Sequence, residues 1–163
     1  MTIDDLNAGD QRAFLEAVGG VFENSPWVAE RAWTRRPFES LDALHAAMTS
    51  HVAAATFDEQ LALLRAHPDL GSRSGMSDAS AAEQAGAGLG TLTRPELDRL
   101  HALNGAYRDK FGFPFLFAVK GATKQDILNA LETRLAATRD AELGEALRQV
   151  SRIARFRLED VIS

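Results

Sequence analysis

Residues 111–121 read Phe-Gly-Phe-Pro-Phe-Leu-Phe-Ala-Val-Lys-Gly, so four of the chain's nine phenylalanines alternate across a stretch that Pro114 keeps from being helical. Alternation at period two describes an extended strip, yet nearly everything around it carries helical spacing. A strip in a helical neighbourhood has no sheet edge to join, and each of its N–H and C=O groups needs a partner once it leaves water. Two readings follow. The strip is an apolar connector packed between helices, or its backbone, from Phe115 through Leu116, Phe117 and Ala118 to Val119, offers hydrogen bonds to a small polar ligand held in register by the Phe rings.

The rest of the chain supplies helix signals at regular intervals. Asp10 caps a helix burying Phe14, Leu15, Val18 and Phe22, and Ser25-Pro26 reads as an N-cap with proline at the first helical position, opening a helix that Arg36-Pro37 ends. Ser40 starts a helix with Leu41, Leu44, Met48 and Val52 on one face, and the next carries Leu61 and Leu64 up to His67-Pro68. Residues 71–79 read as a loop; helices then start at Ser80, at Thr93 (ending at Phe111 with Gly112 as its left-handed cap), at Thr123 and near Asp140. The expectation is an all-α fold: one domain over residues 1–163, a single compact bundle of roughly eight helices with one extended Phe-rich segment.

Composition narrows the function. With 163 residues the chain is long enough to fold without staples, and zero cysteines exclude disulfides, thiolate metal sites and a cysteine nucleophile. A net charge of −5 with no basic run argues against nucleic acid. No apolar stretch is long enough to span a membrane, the amino terminus lacks the basic start of a signal peptide, and the last three residues are not a peroxisomal tripeptide. Cytoplasm is the expected compartment. No His-x-x-x-His pair or Asp/His cluster suggests a metal site.

Three places carry candidate chemistry. In the last helix Leu143, Leu147, Val150, Ala154, Arg157 and Val161 share one face, so Arg157 interrupts an apolar stripe and calls for an anion, unless it snorkels to solvent or pairs with a distant carboxylate. His67 ends a helix, where the carbonyl dipole favours imidazolium and Pro68 fixes the chain direction; it serves either as a proton donor, with Asp69 to orient it, or as a plain helix terminator. His45, His51 and His101 read as structural or surface residues. Ser80-x-x-Glu83 has the form of a capping box, with Thr93-x-x-Glu96 as a second example; alternatively that helix start faces a pocket, with Glu83 as an acid or base and Gln84 as a two-way hydrogen-bonding group.

Taken in order, these motifs resemble the 2-oxo-4-hydroxy-4-carboxy-5-ureidoimidazoline (OHCU) decarboxylase family over nearly the whole chain. The shared pattern is Arg36-Pro37-Phe38 after Trp33, then Ala66-His67-Pro68-Asp69-Leu70, Ser80-x-x-Glu83-Gln84 with Ala87-Gly88-Leu89, Asn104-x-x-Tyr107 leading into the Phe strip, and Arg157-Leu158. The resemblance implies cofactor-independent decarboxylation of OHCU to (S)-allantoin in urate degradation, by a homodimer. It further implies His67 as the proton donor, Glu83 beside it in catalysis, and substrate contacts from Pro68, from Ser80, Ala81, Ala82, Glu83 and Gln84, from Phe115 to Val119, and from Arg157. The loop between His67 and Ser80 is shorter than in many relatives, which leaves its closure over a substrate open. Two other functions remain beside this one: a decarboxylase of a related ureido acid, and a non-catalytic helical interaction module.

Overall fold

A computed structural model describes residues 1–72 and 77–163. Among them there are nine α-helices, two 3-10 turns and no strand. The all-α expectation holds, with one helix more than the eight the sequence suggested. The addition is α1 (Ile3–Ala8), capped by a reciprocal Thr2/Asp5 box. It was passed over because one buried residue, Leu6, gives no periodicity to read.

The described chain divides into two compact units, Met1–Ala66 with Ser151–Ser163, and His67–Val150. The first contains α1, α2 (Gln11–Val18), α3 (Trp27–Ala32), α4 (Leu41–Ala53), α5 (Phe57–Arg65) and the end of α9 (Arg139–Val161). Its core includes Phe14, Val18, Phe22, Val28, Leu44, Met48 and Leu64, all essentially inaccessible to solvent. Phe14 sits 5.3 Å from the Trp33 ring and 6.0 Å from that of Phe38, while Asn7 both donates to and accepts from the Phe38 backbone at 2.8 Å. Asp10, Ser40 and Thr56 cap α2, α4 and α5 through their side chains, satisfying N–H groups that a helix start leaves without partners. The start of α3 departs from expectation by one residue. Pro26 occupies the N-cap position, and the Ser25 hydroxyl donates to the Glu23 carbonyl at 2.9 Å.

The second unit contains α6 (Asp78–Gly86), α7 (Arg94–Phe111), α8 (Lys124–Arg134), the first part of α9, and the Phe strip. Here α6 starts earlier than the sequence suggested. Ser77 is its cap, accepting from the Ser80 N–H at 3.1 Å, so Ser80 lies inside the first turn and Ser80-x-x-Glu83 is not a capping box. The Thr93/Glu96 box at the head of α7 is one. Gly112 closes α7 with φ +81°, in the left-handed region that glycine enters without penalty, and turns the chain into the strip. Tyr107 is the hub of the aromatic core, 4.5 Å from the Phe111 ring, 5.4 Å from Phe115 and 6.0 Å from Phe113. Of the expected 71–79 loop, residues 73–76 lie outside the described residues, and Asp78 and Ala79 are already helical.

The buried face of α9 is rotated from the stripe drawn on the sequence. Glu142, Ala146, Gln149, Val150, Ala154, Arg157 and Leu158 are buried, whereas Leu143, Leu147 and Val161 are half-exposed. Arg157 is therefore one of three polar groups on that face.

Candidate active site

Three clusters account for the residues singled out in the sequence. The first is built around the segment that follows α5. His67 is buried and Pro68 half-buried. The chain beyond them is held from two helices. From α7, Asn104 Nδ2 donates to the Leu70 carbonyl at 2.9 Å and Arg108 Nη2 to Asp69 Oδ1 at 2.9 Å. From α6, Gln84 Oε1 accepts from the Gly71 N–H at 2.9 Å. Gly71 has φ +80°, a left-handed conformation that favours glycine, and a Cβ there would also displace the Leu100 side chain, whose Cδ2 would lie at 2.8 Å. Asp69 is thus the partner of Arg108.

Along α6, Ser80 and Gln84 are buried one turn apart, Glu83 is half-exposed, and Ala81 and Ala82 are exposed. Ala81 and Gln84 line a cavity of about 230 Å³ with Gly71, Ser72, Leu89 and Leu97. Its walls carry polar and apolar groups together, as a pocket for a small polar molecule needs. Gln84, which the sequence offered as both donor and acceptor, accepts from the Gly71 N–H through its oxygen.

The second cluster is the strip. Phe113, Phe115, Leu116, Ala118 and Val119 are buried and Phe117 half-exposed. The Leu116 carbonyl accepts from Arg134 Nη1 at 2.5 Å, the Ala118 N–H donates to Gln149 Oε1 at 2.9 Å, and the Val119 carbonyl accepts from the Ala122 N–H at 2.9 Å. Arg134 also lies 4.5 Å over the Phe115 ring and forms an ion pair with Glu142, whose carboxylate accepts from the Tyr107 hydroxyl at 2.6 Å. Burial, and next the hydrogen bond to Glu142, push the Tyr107 phenol well above its usual range, so it remains a neutral donor. Sequence reasoning missed Arg134, Glu142 and Gln149. The rule that singled out Arg157, a polar residue on an apolar stripe, identifies Glu142 and Gln149 once the stripe is shifted by one position.

The third cluster belongs to the other unit. Arg157 Nη2 donates to Glu23 Oε2 at 2.9 Å, with Arg157 6% and Glu23 0% exposed, and Nη1 reaches the Gly20 carbonyl at 3.5 Å. A buried guanidinium needs such a carboxylate. Of the two alternatives to an anion site, solvent and a distant carboxylate, the carboxylate is present, supplied 134 residues earlier in the chain. Its only signal was an acidic residue directly after the apolar pair Val21-Phe22.

Of the remaining histidines, His101 lines a cavity with Asp69, Leu70, Gly71, Ser72 and Asn104 beside the first cluster. His45 Nε2 lies 2.8 Å from the Ser151 carbonyl, His101 is exposed, and His51 is held below its usual pKa by burial and then by Arg35 and Arg31. Among the described residues no group of three or more His, Asp or Glu is placed to hold a metal ion.

Comparisons with known proteins agree with this architecture. A family model described as OHCU decarboxylase matches residues 7–159. The chain is 48% identical over 161 residues to the 2-oxo-4-hydroxy-4-carboxy-5-ureidoimidazoline decarboxylase of Halalkalicoccus jeotgali, covering 99% of this chain and 92% of that one. It is 45% identical to the protein of that name from Haloferax volcanii, over 100% of this chain and 97% of that one. A crystal structure of (S)-allantoin synthase superposes with a TM-score of 0.83 at 37% identity, covering 99% of this chain and 54% of the other. A structure of OHCU decarboxylase in the presence of (S)-allantoin, 23% identical, shares the fold with a TM-score of 0.73 over 93% of this chain and 97% of that one. The chain belongs to the OHCU decarboxylase family.

Proposed function

We propose that this protein decarboxylates OHCU to (S)-allantoin in urate degradation. The observation that carries the reading is the match of the family along residues 7–159, with relatives of that activity 45% and 48% identical over essentially the whole chain.

The substrate explains why so few groups are needed. Its carboxylate leaves from a ring carbon adjacent to a C=N bond. As the C–C bond to the carboxylate breaks and CO2 departs, the electron pair enters the ring, and the C=N nitrogen takes up the charge. A proton delivered to the carbon bearing the ureido group, with the hydroxyl becoming a carbonyl, completes the product and fixes its handedness. The ring is its own electron sink, so the protein's task is to hold the substrate, stabilise the polar ring and supply that proton on one face.

In this reading His67 delivers the proton. Glu83 holds the hydroxyl or the ureido group and tunes His67, and Ser80, Ala81, Ala82 and Gln84 complete that wall together with Pro68. The backbone from Phe115 to Val119 reads the ureido and ring amide groups, and Arg157 anchors a substrate oxygen while Glu23 holds its guanidinium. The protein acts as a cytoplasmic homodimer without a cofactor. Family resemblance supports the dimer, and the absence of cysteine suits a reducing compartment.

The direct test is to generate OHCU by oxidising urate and hydrolysing the hydroxyisourate formed, then add the protein. Acceleration of CO2 release well above the spontaneous rate is expected. Turnover of another carboxylated ureido compound in preference to OHCU would reassign the substrate, and no acceleration with any of them would reject the enzyme.

A further inference from the structure

Between Phe115 and Ala118 the strip is hydrogen-bonded along one edge only. The Phe115 and Phe117 rings lie 6.0 Å apart and 14° from parallel, as side chains i and i+2 do on one side of an extended chain. In an extended chain the N–H and C=O of one residue point to the same edge, and those of the next residue to the opposite edge. Leu116 and Ala118 therefore share an edge, and that edge is occupied, by Arg134 Nη1 at the Leu116 carbonyl and by Gln149 Oε1 at the Ala118 N–H. Phe115 and Phe117 face the other way. Among the described residues, no hydrogen bond is made by the backbone groups of either. Phe115 is nevertheless only 1% exposed, and buried backbone groups in folded proteins are almost always paired.

We propose that Arg134 and Gln149 are positioning residues that fix the register of the strip and present its opposite edge, the N–H and C=O groups of Phe115 and Phe117, to an amide- or urea-bearing ligand. The inference rests on the reading of this strip as a substrate wall and names what makes it one.

Both clamps are themselves fixed. Gln149 Nε2 donates to Glu145 Oε1 at 2.9 Å, which determines that the oxygen of the amide, and not its nitrogen, meets the Ala118 N–H. Arg134 is oriented by the buried Glu142 carboxylate, which the Tyr107 hydroxyl also holds, and its plane lies over the Phe115 ring. Arg134 thus grips the strip at the Leu116 carbonyl and at the Phe115 ring, within one residue of the open edge. A strip so held has alternating donors and acceptors spaced for a cyclic amide or ureido group, and an apolar surface could not discriminate such a molecule from a similar one lacking those groups.

Amide hydrogen exchange on the whole protein, with and without (S)-allantoin, tests the geometry. Protection of the Ala118 amide is expected in both states, and protection of the Phe115 and Phe117 amides only with the ligand. Slow exchange of the Phe115 and Phe117 amides in the free protein would overturn the proposal. Kinetics test the role. Gln149→Leu removes one hydrogen bond from the strip and is expected to raise KM for OHCU about tenfold with a smaller change in kcat. Arg134→Met is expected to behave like Gln149→Leu. A cooperatively folded Gln149→Leu with wild-type KM would also overturn the proposal. If Arg134→Met does not fold, Gln149→Leu and the exchange pattern decide. Absence of OHCU turnover by the wild-type protein would remove the functional reading instead, and the Ala118 and Phe115 exchange rates in the free protein would still report on the clamp.

Discussion

A guanidinium at position 157 is stable in the interior because Glu23 meets it there, and neither charge is easily given up. Removing one member of a buried ion pair leaves the other without its counter-charge, which costs about 3–5 kcal/mol. Arg157→Met is expected to lower stability by that amount in urea or thermal unfolding. A change below about 1 kcal/mol would mean that the pair is not part of the folded state's support. Two surface carboxylates carry an acid dependence. Glu59 is held at a pKa of about 2, first by its hydrogen bond from Arg31, and Glu96 at about 2, first by that from Lys124. Both are depressed from 4.5, so each contributes stability that is complete above about pH 4.5 and is lost as pH falls toward 2. Glu96→Gln is expected to lower the melting temperature slightly near neutrality and to flatten its fall across that window, so that variant and wild type converge toward pH 2. At this scale Arg157 was legible as an anomaly because periodicity exposes a charge on an apolar stripe. Glu23 was not, because nothing local marks a carboxylate as the partner of a residue so distant in sequence.

Elements were legible where their ends carry local chemistry. Asp10, Ser40, Thr93 and Thr123 are caps in the structure because each places an oxygen within reach of an N–H three residues on, a relation a sequence displays directly. Gly112 was legible for the same reason. The head of α6 was misplaced because Ser77 and Ser80 are equally good caps by type, and the choice between them is made by tertiary packing, which buries Ser80. The strip was recognisable by its alternation, but its partners were not, since Arg134 and Gln149 come from two other helices. Gly112→Ala places a side chain at φ +81° and is expected to cost about 1–2 kcal/mol. Its effect should fall on the strip as well, because the turn at Gly112 aims Phe113 and Phe115 at Tyr107. Faster exchange of the Ala118 amide in Gly112→Ala than in wild type would show this, and an unchanged rate would separate the turn from the strip.

At the scale of the molecule, the backbone of α9 runs through both compact units, its residues to Val150 in one and from Ser151 in the other. A helix shared in this way ties their stabilities together, since melting it removes Val150 from one core and Ala154 and Leu158 from the other. One domain over residues 1–163 is therefore the prediction. Both tryptophans, Trp27 and Trp33, lie in the first unit, so tryptophan fluorescence reports that unit alone and far-ultraviolet dichroism reports both. Coincident transitions are expected, and separate midpoints would divide the chain into two folding units. The site was legible as a set of motifs whose order resembles a family, and its stabilising partners became visible only in the fold.

The central claim is that His67 delivers a proton to one face of the decarboxylated ring. OHCU decays unaided to racemic allantoin, so the handedness of the product separates enzyme from background more cleanly than rate does. The measurement is circular dichroism of allantoin formed from freshly generated OHCU, with wild-type protein and with His67→Asn, an uncharged replacement of similar size. Rapid formation of (S)-allantoin by the wild type, with a slow racemic product for a folded His67→Asn, is the predicted result. Near-normal (S)-allantoin formation by His67→Asn would contradict the account and move the proton to another group.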